Sequence, residues 1–293
     1  MLRQHPQIFM PDKKEPRYFA TDLPSAYNPR RPNVPAAGYE DYLALFDGAG
    51  PEQLVGEASP VYIWSQTAAE NIARTIPDAR IIAIFREPAS YIRSLHYQLI
   101  EARIEPESDL AKAIELQPTR IGPRPGTEED WPEVLQYTAH CDYANQLRRF
   151  HAHFPREQVK AIIYEDFRRD NEGTLRDVLR FLGVDEDVPI EFGESNPTVR
   201  MRSKRVDGMV QAMDRGSTPA GRAVKSAVRA IAPRTVRRRA YDLTLNRLVF
   251  GSPRPPDDAV MLELRHRFRP EVEAFGEYME RDLLALWGYD TVG

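Results

Sequence analysis

The sequence predicts an α/β fold built on a parallel sheet, and three observations support this. The run at 81–85 is an unbroken apolar stretch of the kind that a strand buried on both faces requires, and the mostly apolar run at 159–164 is interpreted as another buried strand. Each is followed by a segment in which apolar residues recur every three or four positions, as on one face of a helix. The chain has 293 residues and 42% hydrophobic content, which suits one large domain with or without a helical extension.

The stretch from Arg80 to Gln98 carries the clearest local signal. Its strand ends at Arg86, and Pro88 suits the first turn of the helix that follows, where a missing N–H costs nothing. One apolar stripe is predicted on this helix, with Ser90, Ser94 and Tyr97 on roughly the opposite face. Free N–H groups and the helix dipole favour anions at such a junction. The alternative is an ordinary strand-to-helix turn with a solvated arginine.

The other predicted elements alternate with loops rich in proline, glycine and asparagine. A brief strand at Leu54–Val55 precedes the central one, and Gly183 is predicted to cap a helix. The predicted helices are Tyr39–Phe46, Ser65–Ile76, Glu107–Leu116, Glu133–Phe154, Thr174–Leu182 and a helical pair over Leu262–Trp287. The loop that covers 117–131 is either an acceptor lid or a plain surface excursion.

Composition limits the location and the partners. The sequence has no apolar run of 18 residues, its N-terminus does not resemble a signal peptide, and its single cysteine, Cys141, favours a reducing cytoplasm. The six histidines show no convincing metal spacing, so no metal is expected. Residues 200–250 carry 13 Lys/Arg against 3 Asp/Glu, which favours peripheral contact with an anionic surface, or a solvated face. Nothing there resembles a nucleic-acid-binding motif.

The motifs, taken in order, resemble those of sulfotransferases that use 3'-phosphoadenylyl sulfate (PAPS), of the bacterial type related to glycan sulfotransferases. Arg-x-Pro after a buried strand, with a serine eight positions beyond the arginine, resembles their 3'-phosphate-binding segment. The order is HPQIF…KKEPRYF, GEASPVY, FREP…S, YEDF…FLGV, NPT…RS and DLLALWGY, and it covers nearly the whole chain. The resemblance implies a P-loop NTPase-like parallel sheet flanked by helices, with a C-terminal helical extension.

The resemblance implies roles for six residues. Arg86 and Ser94 would hold the 3'-phosphate, and Glu57 would be the general base that deprotonates a hydroxyl or amine acceptor. Lys14, or its neighbour Lys13, would assist electrostatically near the sulfuryl group. The implied contacts of Arg202 and Ser203 with PAPS rest on a short motif. Taken alone, Glu57 is better explained as a carboxylate that satisfies loop N–H groups, and it is the Arg86/Ser94 match that favours the catalytic role. The Tyr164–Asp166 segment is interpreted mainly as architecture.

One departure from the family pattern affects the predicted activity. The first strand and a phosphate loop of the K-x-G-T-T type, which precede the HPQIF segment in the family, are missing from this sequence. We therefore expect an N-terminally truncated form, impaired in catalysis, with a sulfotransferase-like domain at 1–198 and a basic helical extension at 199–293. A non-catalytic nucleotide- or anion-binding module is the alternative, whereas a kinase is disfavoured because no Walker lysine is visible. The acceptor (small molecule, lipid or glycan) and the oligomeric state stay open.

Overall fold

A computed structural model describes residues 1–23, 38–102, 104–122, 133–192, 200–201, 250–251 and 257–292. Arg202, Ser203 and nearly all of the basic 200–250 segment lie outside the described residues, as does most of the loop after residue 122. The interpretations placed on those segments therefore stay predictions.

The strands form parallel pairs, as the sequence predicts, but the described residues do not form one continuous sheet. Strand β1 (Ile8–Phe9) pairs with β2 (Leu54–Val55), and β3 (Ile81–Phe85) pairs with β4 (Val159–Ile163). These are two separate two-stranded sheets. A third pair, β5 (Arg200–Met201) with β6 (Phe250–Gly251), is antiparallel. The expectation of a single parallel sheet is thus corrected for the part of the chain that is described.

Nine α-helices complete the described architecture. They are α1 (Tyr39–Leu43), α2 (Ala68–Thr75), α3 (Pro88–Ala102), α4 (Leu110–Glu115), α5 (Tyr143–His151), α6 (Tyr164–Arg169), α7 (Asn171–Leu182), α8 (Asp258–Tyr278) and α9 (Leu283–Trp287). Helix α3 begins at Pro88, and α7 ends at Gly183, whose φ of 68° is the left-handed conformation that glycine adopts most readily. Both of these features were predicted from the sequence.

Strands β1 and β3 both begin near the end of α7. Arg80, just before β3, donates a hydrogen bond to the Leu182 carbonyl at the end of α7. Gln7, just before β1, accepts a hydrogen bond from the Asp185 N–H at 2.8 Å, three residues beyond the same helix. The amino-terminal ends of β1 and β3 are thus both anchored at the carboxyl end of α7.

The main core lies between the β3–β4 pair and helices α3, α5 and α8. The predicted stripe on α3 is fully buried there; its members are Ile92, Leu95, Leu99 and Ala102. Phe275 of α8 and Trp287 of α9 belong to the same cluster. Each large apolar side chain so buried contributes about 1.5–3 kcal/mol. The C-terminal helices are therefore part of the core that supports the β3–α3 junction.

The opposite face of β3 is only partly covered, which corrects the expectation of a strand buried on both faces. Ile82 packs with Leu179 and neighbouring side chains of α7 in a smaller cluster. Ile84, which shares that face, is 58% exposed. Because α7 returns toward the amino ends of the strands, no element among the described residues covers the carboxyl half of this face.

The continuous helix predicted over Glu133–Phe154 is wrong. Two 3-10 helices, Glu133–Leu135 and Tyr137–Cys141, precede α5, which begins only at Tyr143. The Thr138 N–H donates to the Gln117 side-chain oxygen at 2.9 Å, so a contact distant in sequence replaces a helical hydrogen bond. The helical pair predicted over Leu262–Trp287 is present, but α8 begins at Asp258, where the Asp257 side chain caps it.

Candidate active site

Arg86 lies where the sequence predicts it, at the carboxyl end of β3 and two residues before α3. Its guanidinium carbon is 5.1 Å from the centre of the Tyr164 ring, a cation–π distance. Its carbonyl oxygen accepts a hydrogen bond from the Tyr143 hydroxyl at 3.0 Å. The backbone and the side chain of Arg86 are thus both held by aromatic residues of neighbouring elements.

The first amides of α3 are not free for an anion, which corrects part of the sequence argument. The Ala89 N–H donates to Glu87 Oε1 at 3.1 Å, and the Ser90 N–H donates to Glu87 Oε2 at 2.7 Å. The Glu87 carboxylate therefore caps the helix and occupies the positive end of its dipole. A phosphate at this junction would depend on side chains rather than on these two N–H groups.

Ser94 lies on α3 and is half-buried, as is Ser90 four residues earlier. Residues four apart share one face of a helix, so the two hydroxyls lie on the same side of α3, away from its buried stripe. Ser94 is six residues beyond Pro88, which places it about 9 Å along the helix axis. The structure thus puts Ser94 and Arg86 on successive parts of one strand–turn–helix unit.

Glu57 lies two residues beyond the end of β2 and has the environment of a candidate base. Its Oε2 accepts a hydrogen bond from the Ser59 hydroxyl at 2.8 Å. Its Oε1 is buried and has no hydrogen-bond partner among the residues that the structure describes. Burial raises the pKa of Glu57 above the usual glutamate value, with the Tyr62 and Ser59 hydroxyls acting in the opposite direction. A raised pKa and an unpaired oxygen suit a carboxylate that accepts a proton.

A second carboxylate, Glu15, lies beside Glu57 and was not singled out from the sequence. The negative charge of Glu15 adds to the upward shift of the Glu57 pKa. The Arg17 guanidinium donates to Glu15 Oε2 at 3.2 Å, and the Arg17 N–H donates to the Ser59 hydroxyl oxygen at 3.1 Å. Glu15 and Arg17 have φ angles of 50° and 54°. Such backbone conformations are uncommon outside glycine and concentrate at functional sites.

The two lysines of the KKEPRYF run lie on the same loop. Lys14 is exposed, whereas Lys13 lines a surface cavity of about 290 Å³. The other lining residues are Phe9, Met10, Pro11, Asp12 and Leu45. The Met10 sulfur lies 3.2 Å from the position that a Cβ on Gly56 would occupy, so the cavity wall abuts the residue before Glu57. The structure thereby brings Lys13 and Glu57 to one region.

The candidate residues form two groups with separate partners. Glu57 and Glu15 form one group beyond β2, and Arg86 with Ser94 forms the other beyond β3. Glu57 lies beyond the carboxyl end of β2, and Arg86 lies beyond the carboxyl end of β3. No cluster of three metal-ligating side chains occurs within the described ranges.

The residues that follow β4 make contacts that support the site. The Trp287 indole N–H donates to Glu165 Oε2 at 2.8 Å. Arg281 donates to both carboxylate oxygens of Asp166, at 2.9 Å to Oδ1. These partners come from α9 and the loop before it, more than a hundred positions along the chain. They agree with the architectural interpretation of the Tyr164–Asp166 segment.

Comparison with solved structures defines the class to which this fold belongs. A sulfotransferase from Alicyclobacillus acidocaldarius superposes with a TM-score of 0.66 at 24% sequence identity, covering 98% of this chain and 91% of that one. At that identity the match establishes a shared fold.

Sequence comparison adds the family itself. A model described as "Sulfotransferase family" matches residues 42–188, and the chain belongs to that family. The matched range contains Glu57, Arg86 and Ser94. The family that the motifs resemble is thereby confirmed.

A curated relative is similar over a shorter stretch. The membrane-associated sulfotransferase kil1 of Dictyostelium discoideum is 30% identical over 100 residues, which are 34% of this chain and 19% of the relative. The matched stretch is thus well under two thirds of that relative's length. In the part of this chain that is described, no helix has the length and apolar character needed to cross a bilayer.

Proposed function

We propose that this protein transfers a sulfuryl group from PAPS to a hydroxyl or amine acceptor, with no metal involved. The observation that carries the proposal is Arg86 at the carboxyl end of β3, on the same strand–turn–helix unit as Ser94. A guanidinium presents paired donors that match phosphate oxygens, and a serine hydroxyl adds one more. Family membership supports sulfuryl transfer in general.

The proposed reaction is a direct in-line displacement at sulfur. The acceptor oxygen or nitrogen forms a bond to sulfur as the bond between sulfur and the 5'-phosphate oxygen breaks. The acceptor proton passes to a carboxylate, and adenosine 3',5'-bisphosphate departs with the electrons of the broken bond. Glu57 is the proposed base because its Oε1 is buried and unpaired within the described structure. Glu15 is close enough to raise the Glu57 pKa and is the second carboxylate to test.

Cations would stabilise the charge that develops on the leaving phosphate. We propose Lys14 and Lys13 for this role because they lie in the loop that reaches Glu57. Contacts of Arg202 and Ser203 with the nucleotide are proposed from the family resemblance alone. The P-loop-like first strand and phosphate loop, which the resemblance implies, are not in the printed sequence. We therefore propose that the chain as printed turns over slowly, since losing one such donor typically costs roughly 10²–10³ in rate.

Nucleotide binding tests the central claim. Isothermal titration calorimetry with adenosine 3',5'-bisphosphate should show binding by the wild type and weaker binding by Arg86→Ala. Loss of a charged hydrogen-bond pair is expected to raise the dissociation constant roughly 10- to 100-fold. Arg74→Ala, which removes an exposed arginine of α2, is the matched control and should bind as the wild type does. Equal affinity of Arg86→Ala and wild type would refute the proposed phosphate contact.

Turnover separates the base from the binding residues. With PAPS and a panel of alcohol, phenol, lipid and glycan acceptors, Glu57→Gln should keep bisphosphate affinity and lose roughly 10²–10⁴ of the residual rate. Glu15→Gln is measured beside it, and the variant with the larger loss identifies the base. Near-normal turnover by the wild-type chain would contradict the proposed impairment.

A binding module without catalysis is the second candidate. The observation that favours it is that neither K-x-G-T-T nor a G-x-x-x-x-G-K-[ST] loop occurs in the printed sequence. Bisphosphate binding that depends on Arg86, with no sulfated product from any acceptor, would support this alternative. A cytoplasmic location and peripheral contact of the basic 200–250 segment with anionic surfaces stay proposals. Nucleic acid is not a proposed partner.

A further inference from the structure

We infer that Trp287 and Tyr289 at the C-terminus are positioning residues that fix the Arg86–Glu87 turn and thereby set the affinity for the nucleotide. The inference rests on the proposed function and adds two residues that lie about 200 positions from Arg86 in the sequence. Neither residue is placed in contact with substrate. Both act through carboxylates that flank Arg86.

Glu87 is the first of these carboxylates. It is only 5% exposed, and it caps α3 through the amides of Ala89 and Ser90. The Tyr289 hydroxyl donates to Glu87 Oε1 at 2.7 Å, and Arg265 Nε of α8 lies 3.8 Å from the same oxygen. A buried carboxylate that holds two backbone amides fixes the direction in which the chain leaves Arg86.

Glu165 is the second carboxylate. Its Oε1 accepts a hydrogen bond from the Glu87 N–H at 3.4 Å, on the peptide bond that joins Glu87 to Arg86. Its Oε2 accepts from the Trp287 indole at 2.8 Å. The residue before it, Tyr164, provides the ring beneath the Arg86 guanidinium. Trp287 therefore holds the segment on which the Arg86 side chain rests.

The chain geometry explains how one short segment reaches both carboxylates. Helix α9 ends at Trp287, and Gly288 follows in the left-handed conformation, with φ of 70°. The Tyr289 N–H bonds back to the Leu284 carbonyl at 2.8 Å, which closes the helix end in the manner of a Schellman motif. Arg269 of α8 donates to the Tyr289 carbonyl at 2.8 Å and anchors the turn.

Conservative variants test the inference, each removing one polar contact. Tyr289→Phe deletes the hydroxyl that binds Glu87, and Trp287→Phe deletes the indole N–H that binds Glu165. Tyr278→Phe is the matched control, since it deletes a hydroxyl of α8 that lies 2.6 Å from His151 Nδ1. Within the described structure this hydroxyl makes no hydrogen bond to Glu87 or Glu165. The probe is adenosine 3',5'-bisphosphate, and each titration is made at a temperature well below the thermal unfolding midpoint of the variant.

We expect Tyr289→Phe and Trp287→Phe each to weaken bisphosphate binding roughly tenfold, because small misplacements of a binding group are costly. Tyr278→Phe should match the wild type. Two local readouts accompany the titration. Hydrogen exchange at the Ala89 and Ser90 amides should accelerate in Tyr289→Phe alone. The NMR resonance of the Trp287 indole N–H is assigned by its loss in Trp287→Phe. It should shift when the wild type is titrated with the bisphosphate, and it should not shift when Arg86→Ala is titrated in the same way.

The outcomes distinguish this inference from the proposed function. Wild-type-like affinity in Tyr289→Phe and Trp287→Phe, with Arg86→Ala impaired, overturns the inference and leaves the proposed phosphate contact standing. Equal weakening in Tyr278→Phe also overturns it, because the effect would then be general loosening of the fold. A wild type that binds no bisphosphate overturns the proposed function and the inference with it.

Discussion

The buried ion pair between Glu105 and Arg120 gives the sharpest prediction on stability. The Glu105 side chain is 0% exposed and that of Arg120 is 3% exposed, and two hydrogen bonds of 2.6 and 2.8 Å join them. The carboxylate also accepts from the Tyr137 hydroxyl at 2.8 Å and the Glu107 N–H at 2.7 Å. Arg120→Met removes the positive partner and leaves a buried carboxylate with only neutral donors.

Breaking such a pair from one side typically costs about 3–5 kcal/mol, mostly as the penalty of an uncompensated buried charge. The control is Arg176→Met, which breaks two exposed pairs, with Glu172 and with Asp187, and should cost under about 0.5 kcal/mol. The double variant Glu105→Gln/Arg120→Met removes both charges and should be less destabilised than the sum of its single variants. Urea unfolding at pH 7, followed by circular dichroism, measures all of these free energies.

The reasoning would fail in either of two ways. A loss below about 1 kcal/mol in Arg120→Met would mean that water or rearrangement solvates Glu105 far better than its burial indicates. Strict additivity in the double variant would mean that the two charges do not interact. In both cases the ion pair between Glu105 and Arg120 would not stabilise the fold as a buried charge pair.

Three further predictions concern other parts of the molecule. Asp166→Asn should lower the free energy of unfolding at pH 7 by about 1 kcal/mol or less, because hydrogen bonds from Arg281 lower the Asp166 pKa. That contribution is present above the ordinary aspartate pKa and disappears as pH falls through the lowered one, so the difference between wild type and variant in urea titrations should shrink as the pH is lowered below the ordinary aspartate pKa. Cys141 is buried, and burial raises the pKa of its thiol. A thiol reagent at pH 8 should therefore react with Cys141 only after denaturant is added, and rapid labelling of the native protein would contradict this prediction. Gly183→Ala should lower the free energy of unfolding by about 1 kcal/mol, because φ is 68° and Arg80 lies 3.0 Å from the added Cβ. Gly122→Ala, where φ is 80° and the added Cβ meets no atom within 4 Å, measures the backbone cost alone. Thermal unfolding of both variants gives the comparison.

The sequence alone was sufficient to predict the features that depend on residues close to one another in the chain. The β3 strand, the start of α3 at Pro88, its buried stripe and the glycine cap at 183 all follow from local chemistry and periodicity. The order of the motifs was sufficient for the family, because many short matches in sequence together exclude coincidence. Glu57, Arg86 and Ser94 could be nominated in this way, and their roles stay predictions.

The tertiary structure decided what depends on contacts between distant residues. Glu87 proved to occupy the α3 amides, and its capping role depends in part on Tyr289, 202 residues away. Glu15 joins Glu57 because a loop with two positive φ angles packs beneath Ser59. The predicted helix over Glu133–Phe154 broke where the Gln117 side chain offered its own hydrogen bonds. Periodicity records which face of an element is apolar, but it does not record which polar partner arrives from elsewhere, and those partners determine the environment of the site.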